Sequence, residues 1–125
     1  MQKTIKIIKK GTKDLAKDLV CKYLEERSYI VIEKTFEFRR QKIDLIVYDE
    51  TTKELVFVEI KLYNIPNISK KIDIEIERQE FLKAAAKNYN YEYGLYDIPV
   101  RFDKVELLLN NSIYKIRYIK NFFEI

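Results

Sequence analysis

The sequence predicts a mixed α/β domain, a sheet covered by two helices, with elements in the order α-β-β-β-α-β-β. Three observations lead there. Two stretches space their apolar residues as a helical stripe does, and five shorter stretches are rich in β-branched and aromatic residues. Across 125 residues there is no repeat, no low-complexity tract and no linker long enough to divide the chain, so the expected organisation is a single domain, 1–125.

From Thr12 to Arg27 the apolar residues are Leu15, Ala16, Leu19, Val20, Tyr23 and Leu24, one face of a first helix. YIVIEKTFEFR, KIDLIVY and LVFVEIK follow as strands, the last two joined by the polar turn DETTKE into a hairpin. NIPNIS with Pro66 breaks the pattern. Ile74 to Tyr89, with Phe81, Leu82 and an Ala84-Ala85-Ala86 run, reads as the second helix. VRFDKVELLL and SIYKIRYI, parted by Asn110 and Asn111, form a closing hairpin. The N-terminal TIKIIKK alternates Lys with Ile and builds neither a signal peptide nor a membrane span.

Composition excludes several chemistries. With no histidine, Ser-His-Asp and Cys-His systems and histidine-containing zinc sites are gone, leaving carboxylates, Lys, Arg, Tyr and Cys21. A single cysteine forms no intrachain disulfide, which suits a cytoplasmic protein, and its place on the helix's apolar side reads as a small buried hydrophobe. Glycines at 11 and 94 alone cannot assemble a phosphate-cradling loop. The net charge of +4 permits nucleic-acid contact without requiring it.

The most informative stretch runs from Ile43 to Lys61. Asp44 interrupts one apolar strand; Glu59 and Lys61 interrupt the next, sharing a face while Val56, Val58 and Ile60 point the other way. Carboxylates embedded in apolar strands need a compensator. One is a hard divalent cation, Mg²⁺ or Mn²⁺, held by Asp44 and Glu59, with Lys61 acting on the attacking water or the charge developing on a phosphate. The other is plain ion pairing across a hairpin or on an exposed sheet face.

Asp, a hairpin of about fifteen residues and Glu-x-Lys, set between two helices, resembles the PD-(D/E)xK nuclease pattern. More closely, the chain resembles the small bacterial YraN-like family, UPF0102, viewed as distant relatives of archaeal Holliday-junction resolvases. The likeness spans Gly11 to Leu108 and rests on DLA at 14–16, IDLI at 43–46, FVEIK at 57–61, Arg78-Gln79 before the Ala-rich helix, and RFD at 101–103. It implies a restriction-endonuclease-like core, a central mixed sheet flanked by helices. It also implies one Mg or Mn ion on Asp44 and Glu59, Lys61 as catalytic lysine, Arg78 and Gln79 near a substrate phosphate, and Arg101 either on a phosphate or paired with Asp103. The implied partner is nucleic acid, DNA ahead of RNA, with homodimerisation open.

Where that family reads G-E-D-L-A and G-E-I-D-L-I, this chain has Lys13 and Lys42 in place of the glutamates. Lys13 lies at the edge of the helical stripe and Lys42 shares the face of Asp44, so both are expected to approach the site, weakening metal binding or steering a phosphate backbone. Asp14 and Asp18 are expected to face solvent. Three readings follow: a metal-dependent endonuclease, a catalytically degenerate nucleic-acid-binding module, and a protein-interaction domain. NYNYEYGLY, 88–96, is read as core or interface rather than as a base-stacking platform.

Overall fold

The computed structural model describes residues 2–6, 12–64, 76–110 and 113–123, with side chains described for 14–63, 76–108 and 114–123. Its elements are β1 (Gln2–Lys6), α1 (Thr12–Glu25), β2 (Tyr29–Phe38), β3 (Gln41–Asp49), β4 (Glu54–Asn64), α2 (Ile76–Glu92), β5 (Val100–Asn110) and β6 (Ile113–Ile119). They make an α/β architecture around one six-stranded mixed sheet, ordered β1-β6-β5-β4-β3-β2. Among the described strands only β4 and β5 run parallel, which requires a crossover, and α2 lies on that connection.

Two elements differ from the sequence reading. At the N-terminus Gln2–Lys6 is a strand: β1 pairs antiparallel with β6 from Gln2↔Arg117 to Lys6↔Ile113, while the rest of the Lys/Ile alternation, 7–10, lies outside the described residues. A strand this short has no stability alone, and its partner is at the far end of the chain, so local pattern does not reveal it. α2 also runs past Tyr89 to Glu92, taking in part of the tyrosine-rich segment.

The helices pack on opposite faces of the sheet. On one, Ala16, Val20, Tyr23 and Leu24 of α1 meet Leu45, Val47, Val56, Val58 and Ile60. On the other, Leu82, Ala85, Ala86 and Tyr89 of α2 meet Ile46, Leu55, Phe57 and Phe102. Fully burying a Val, Leu, Ile or Phe side chain contributes roughly 1.5–3 kcal/mol, so both helices are held chiefly by these contacts. Asp14 and Asp18 face solvent and Cys21 is buried. The β3–β4 turn is closed by Asp49, whose Oδ1 accepts from Thr51 N at 2.9 Å while its carbonyl accepts from Lys53 N at 2.7 Å.

Candidate functional site

The last paired residues of the β3–β4 ladder are Leu45 and Val58, and one position beyond them lie Asp44 and Glu59. Here regular pairing gives way to a side-chain contact, in which Ile60 N donates to Asp44 Oδ2 at 2.8 Å. Glu59 alternates with Phe57 and Leu55, so it points to the α2 side, where Phe57 is buried against Tyr89. Glu59 is only 3% exposed. Such a carboxylate needs a donor, and the first turns of α2 supply Arg78. Its Nε donates to Glu59 Oε2 at 2.7 Å and its Nη2 to Oε1 at 2.9 Å. The same guanidinium donates to Gln41 Oε1 at 3.1 Å and to the Lys42 carbonyl at 2.7 Å, tying α2 to the start of β3. The bonds to Glu59 hold the Arg78 proton more tightly than usual, outweighing burial, with Asp44 adding its charge.

The charged face continues into β5 and β6. In register, Glu59 neighbours Lys104 and Lys61 neighbours Glu106, which in turn neighbours Arg117. Lys104 and Glu106 are buried, whereas Lys61 is exposed. Burial lowers the Lys104 ammonium pKa, Glu106 opposes that shift at an N···O distance of 3.8 Å, Lys61 reinforces it and Glu59 opposes it. Arg117 Nε donates to Glu106 Oε1 at 2.6 Å, and the Arg117 side chain is still 43% exposed. Sequence reasoning missed Lys104, Glu106 and Arg117. For Lys104 and Glu106 the signal was there: charges interrupt an apolar strand in VRFDKVELLL as they do in LVFVEIK.

Asp44 and Glu59 are the carboxylates that the sequence reading assigns to a hard divalent cation. Among the described residues no group of three or more His, Cys, Asp or Glu side chains is placed to hold a metal. One or two carboxylates are the usual protein share for such an ion, with water and substrate phosphate completing the shell. The donors therefore fit the ion in chemical type and number, and Arg78 competes with it for both oxygens of Glu59.

The other expected site residues divide. Arg78 joins the cluster directly; Gln79, beside it on α2, is half-buried. Lys42 contributes its carbonyl, and its side chain is exposed. Lys13 lies in the first turn of α1, and its side chain is outside the described residues.

Arg101 is not brought to this cluster. It stands beside Val56 in the ladder, on the α1 face, 6% exposed. Its Nε and Nη2 donate to Asp103 at 2.9 and 2.8 Å, its Nη1 to Asp49 at 3.0 Å and Glu54 at 2.8 Å, and its Nη2 also to the Tyr29 hydroxyl at 2.8 Å. Burial works against this charge, and the Asp103 and Asp49 carboxylates outweigh it, holding the proton firmly. The guanidinium is enclosed and satisfied, so it has no face to offer a phosphate, and of its two expected roles the pairing with Asp103 is the one observed. The tyrosines also divide: Tyr89 is buried against Phe36 and Phe57, while Tyr91, Tyr93 and Tyr96 are exposed, contrary to a core role for the whole segment.

The family described as "Uncharacterised protein family UPF0102" matches residues 16–107. A UPF0102 protein of Clostridium botulinum (strain Eklund 17B / Type B) is 34% identical over 122 residues, covering 93% of this chain and 98% of its own. One from Clostridium beijerinckii is 31% identical over 128 residues, covering 97% and 99%. One from Desulforapulum autotrophicum is 29% identical over 111 residues, covering 88% and 90%. The matched span contains Asp44, Glu59, Lys61, Arg78, Lys104 and Glu106.

Proposed function

The chain belongs to the UPF0102 family, and from that membership and the geometry above we propose that it acts on nucleic acid through a restriction-endonuclease-like, PD-(D/E)xK core, hydrolysing DNA phosphodiester bonds with the help of Mg²⁺ or Mn²⁺. The observation that supports this most is the placement of Asp44 and Glu59 one position beyond the last pair of the β3–β4 ladder, with Lys61 exposed two residues on from Glu59. The three residue types that hydrolysis by this route needs lie on adjacent strands of one rigid sheet, with no histidine involved.

Each residue has a derivable task. The Ile60 N–H fixes Asp44, and Arg78 fixes Glu59, so both carboxylates are oriented before substrate arrives. A divalent ion bound by them would polarise a phosphoryl oxygen and lower the pKa of a water. Lys61, an ammonium without an ion-pair partner among the described residues, is placed to offset charge growing on the scissile phosphate or to orient the attacking water. Lys104 keeps positive charge behind Glu59 without reaching solvent.

One observation favours a second reading. Arg78 already neutralises Glu59, as expected if the cluster binds a phosphate backbone without cleaving it. Labelled linear and branched DNA, incubated with Mn²⁺, with Mg²⁺ or with EDTA, tests both. The nuclease reading expects metal-dependent cleavage that disappears in Asp44→Ala and Glu59→Ala. Cleavage surviving both substitutions would refute this site, and salt-sensitive binding with no cleavage under any metal would support the binding module. An unaltered protein that neither binds nor cleaves would remove both readings and leave the protein-interaction alternative.

A further inference from the structure

The turn between β2 and β3 breaks a local rule. Phe38 pairs with Gln41, so the two residues between them, Arg39 and Arg40, form a two-residue hairpin loop. Both have positive φ, 52° and 67°. That is the conformation of a type I′ turn, which favours Asn-Gly or Asp-Gly because a Cβ is disfavoured in the left-handed region. Arginine at both positions places two long cations at the tip of a two-stranded ribbon at the expense of a relaxed backbone.

Those cations are presented outward. Arg39, Arg40, Gln41 and Lys42 are all exposed, and neither arginine has an ion pair among the described residues. The Arg39 guanidinium stacks over the Phe38 ring, 4.7 Å from its centroid, which limits its motion without neutralising it. The strand residues directly beside the turn are anchored to the carboxylate cluster: Arg78 bonds Gln41 and the Lys42 carbonyl with the same guanidinium that forks onto Glu59. The tip is therefore held rigidly relative to Asp44 and Glu59.

We propose that the β2–β3 hairpin tip is a duplex-recognition element that enters a groove of double-stranded DNA, with Arg39 and Arg40 on the phosphates lining it. This rests on the nucleic-acid reading above and adds to it the substrate form. A two-stranded β-ribbon is of a size that the B-DNA major groove, about 12 Å wide, admits. Two guanidiniums at its tip match phosphates on the groove walls, and a single strand has no groove to receive it.

The test replaces the tip with the pair its backbone prefers, Arg39→Asn with Arg40→Gly, and compares it with Arg39→Lys and Arg40→Lys together. Affinity for duplex and single-stranded oligonucleotides of equal length is followed by fluorescence anisotropy in EDTA across a salt series. The Asn-Gly variant is expected to keep or raise the melting temperature, to bind duplex about 10- to 100-fold more weakly, and to lose about two units of log-affinity-against-log-salt slope. Single-strand binding is expected to change far less, and the double lysine variant to retain most duplex affinity. Unchanged duplex affinity and slope in Asn-Gly overturns the proposal and leaves the nucleic-acid reading standing. Equal losses on single strand and duplex overturn the groove assignment. A fall in melting temperature alongside affinity assigns the arginines a structural role and overturns it too. Failure of the unaltered protein to bind either oligonucleotide removes the proposal together with the reading beneath it.

Discussion

Replacing Arg101 with methionine removes the hub of the buried polar network on the α1 side of the sheet. Asp103, fully buried, loses two bonds of 2.9 and 2.8 Å and keeps only Tyr118 O–H and Asn121 N–H. Asp49, 2% exposed, loses its bond from Nη1 and keeps those from Thr51 and Thr52 N–H. Glu54 is 26% exposed and can turn to water, so it adds little. Breaking a buried pair by removing one partner costs about 3–5 kcal/mol, and the surviving bonds favour the lower half of that range. With a urea m-value of about 1.5 kcal/mol per molar, the unfolding midpoint is expected to fall by roughly 2 M. Equilibrium urea unfolding read by circular dichroism measures this. Acidification should narrow the gap, because the stranded carboxylates are relieved by protonation. In the unaltered protein the sign is opposite at Asp49. Burial raises that pKa, but the bonds from Arg101, Thr51 and Thr52 outweigh it and hold it below the usual value. The stability Asp49 contributes is thus present above the unfolded pKa of about 3.9 and is lost as pH falls through the lower folded value. A midpoint shift under about 0.5 M, or a gap that does not narrow in acid, would refute the view that Arg101 is structural. So would a fall in the salt slope of DNA binding in the folded variant.

Arg78→Ala strips the fork from Glu59, whose side chain is 4% exposed while that of Arg78 is 24% exposed, so solvent recovers part of the loss. A destabilisation of about 2 kcal/mol is expected, with a coupling of at least about 1 kcal/mol to Glu59→Gln in a double-mutant cycle by urea unfolding. Tyr89 has its hydroxyl pKa pushed up to about 12 by burial and by Glu33. Its contribution to stability is complete below the unfolded pKa of about 10 and is lost as pH rises through the folded value, so Tyr89→Phe should flatten the alkaline limb of a melting-temperature profile above pH 10. An unchanged limb would mean that another group governs it.

Much of the architecture was legible because local pattern and tertiary demand agree. The α1 stripe, the β-branched strands, the DETTKE turn and the Asn110-Asn111 parting each specify an element from its own residues. β1 was not legible, since its stability is supplied by β6. The split of NYNYEYGLY also escaped the sequence: period and composition do not say where α2 leaves the sheet, which is why Tyr89 is buried and Tyr91, Tyr93 and Tyr96 are not.

For the site, residue type and strand period alone determined that Glu59 and Lys61 share a face and that the chain contains no histidine to act with them. Asp44 was legible as their companion because it too interrupts an apolar strand, and the β3–β4 register puts it, like Glu59, one position beyond the last ladder pair. Tertiary structure alone decided which distant cation Glu59 and Asp49 meet. RQ and RFD each offer an arginine; the spacing in RFD allows a pair with Asp103 but does not exclude a phosphate, and nothing local names the distant partners of either. Arg78, carried by α2 across the sheet, reaches Glu59. Arg101, on the opposite face of β5, is enclosed by Asp49, Asp103 and Tyr29. Pairing of charges depends on which faces and strands the fold juxtaposes, and that information lies in the sheet order rather than in the spacing along the chain.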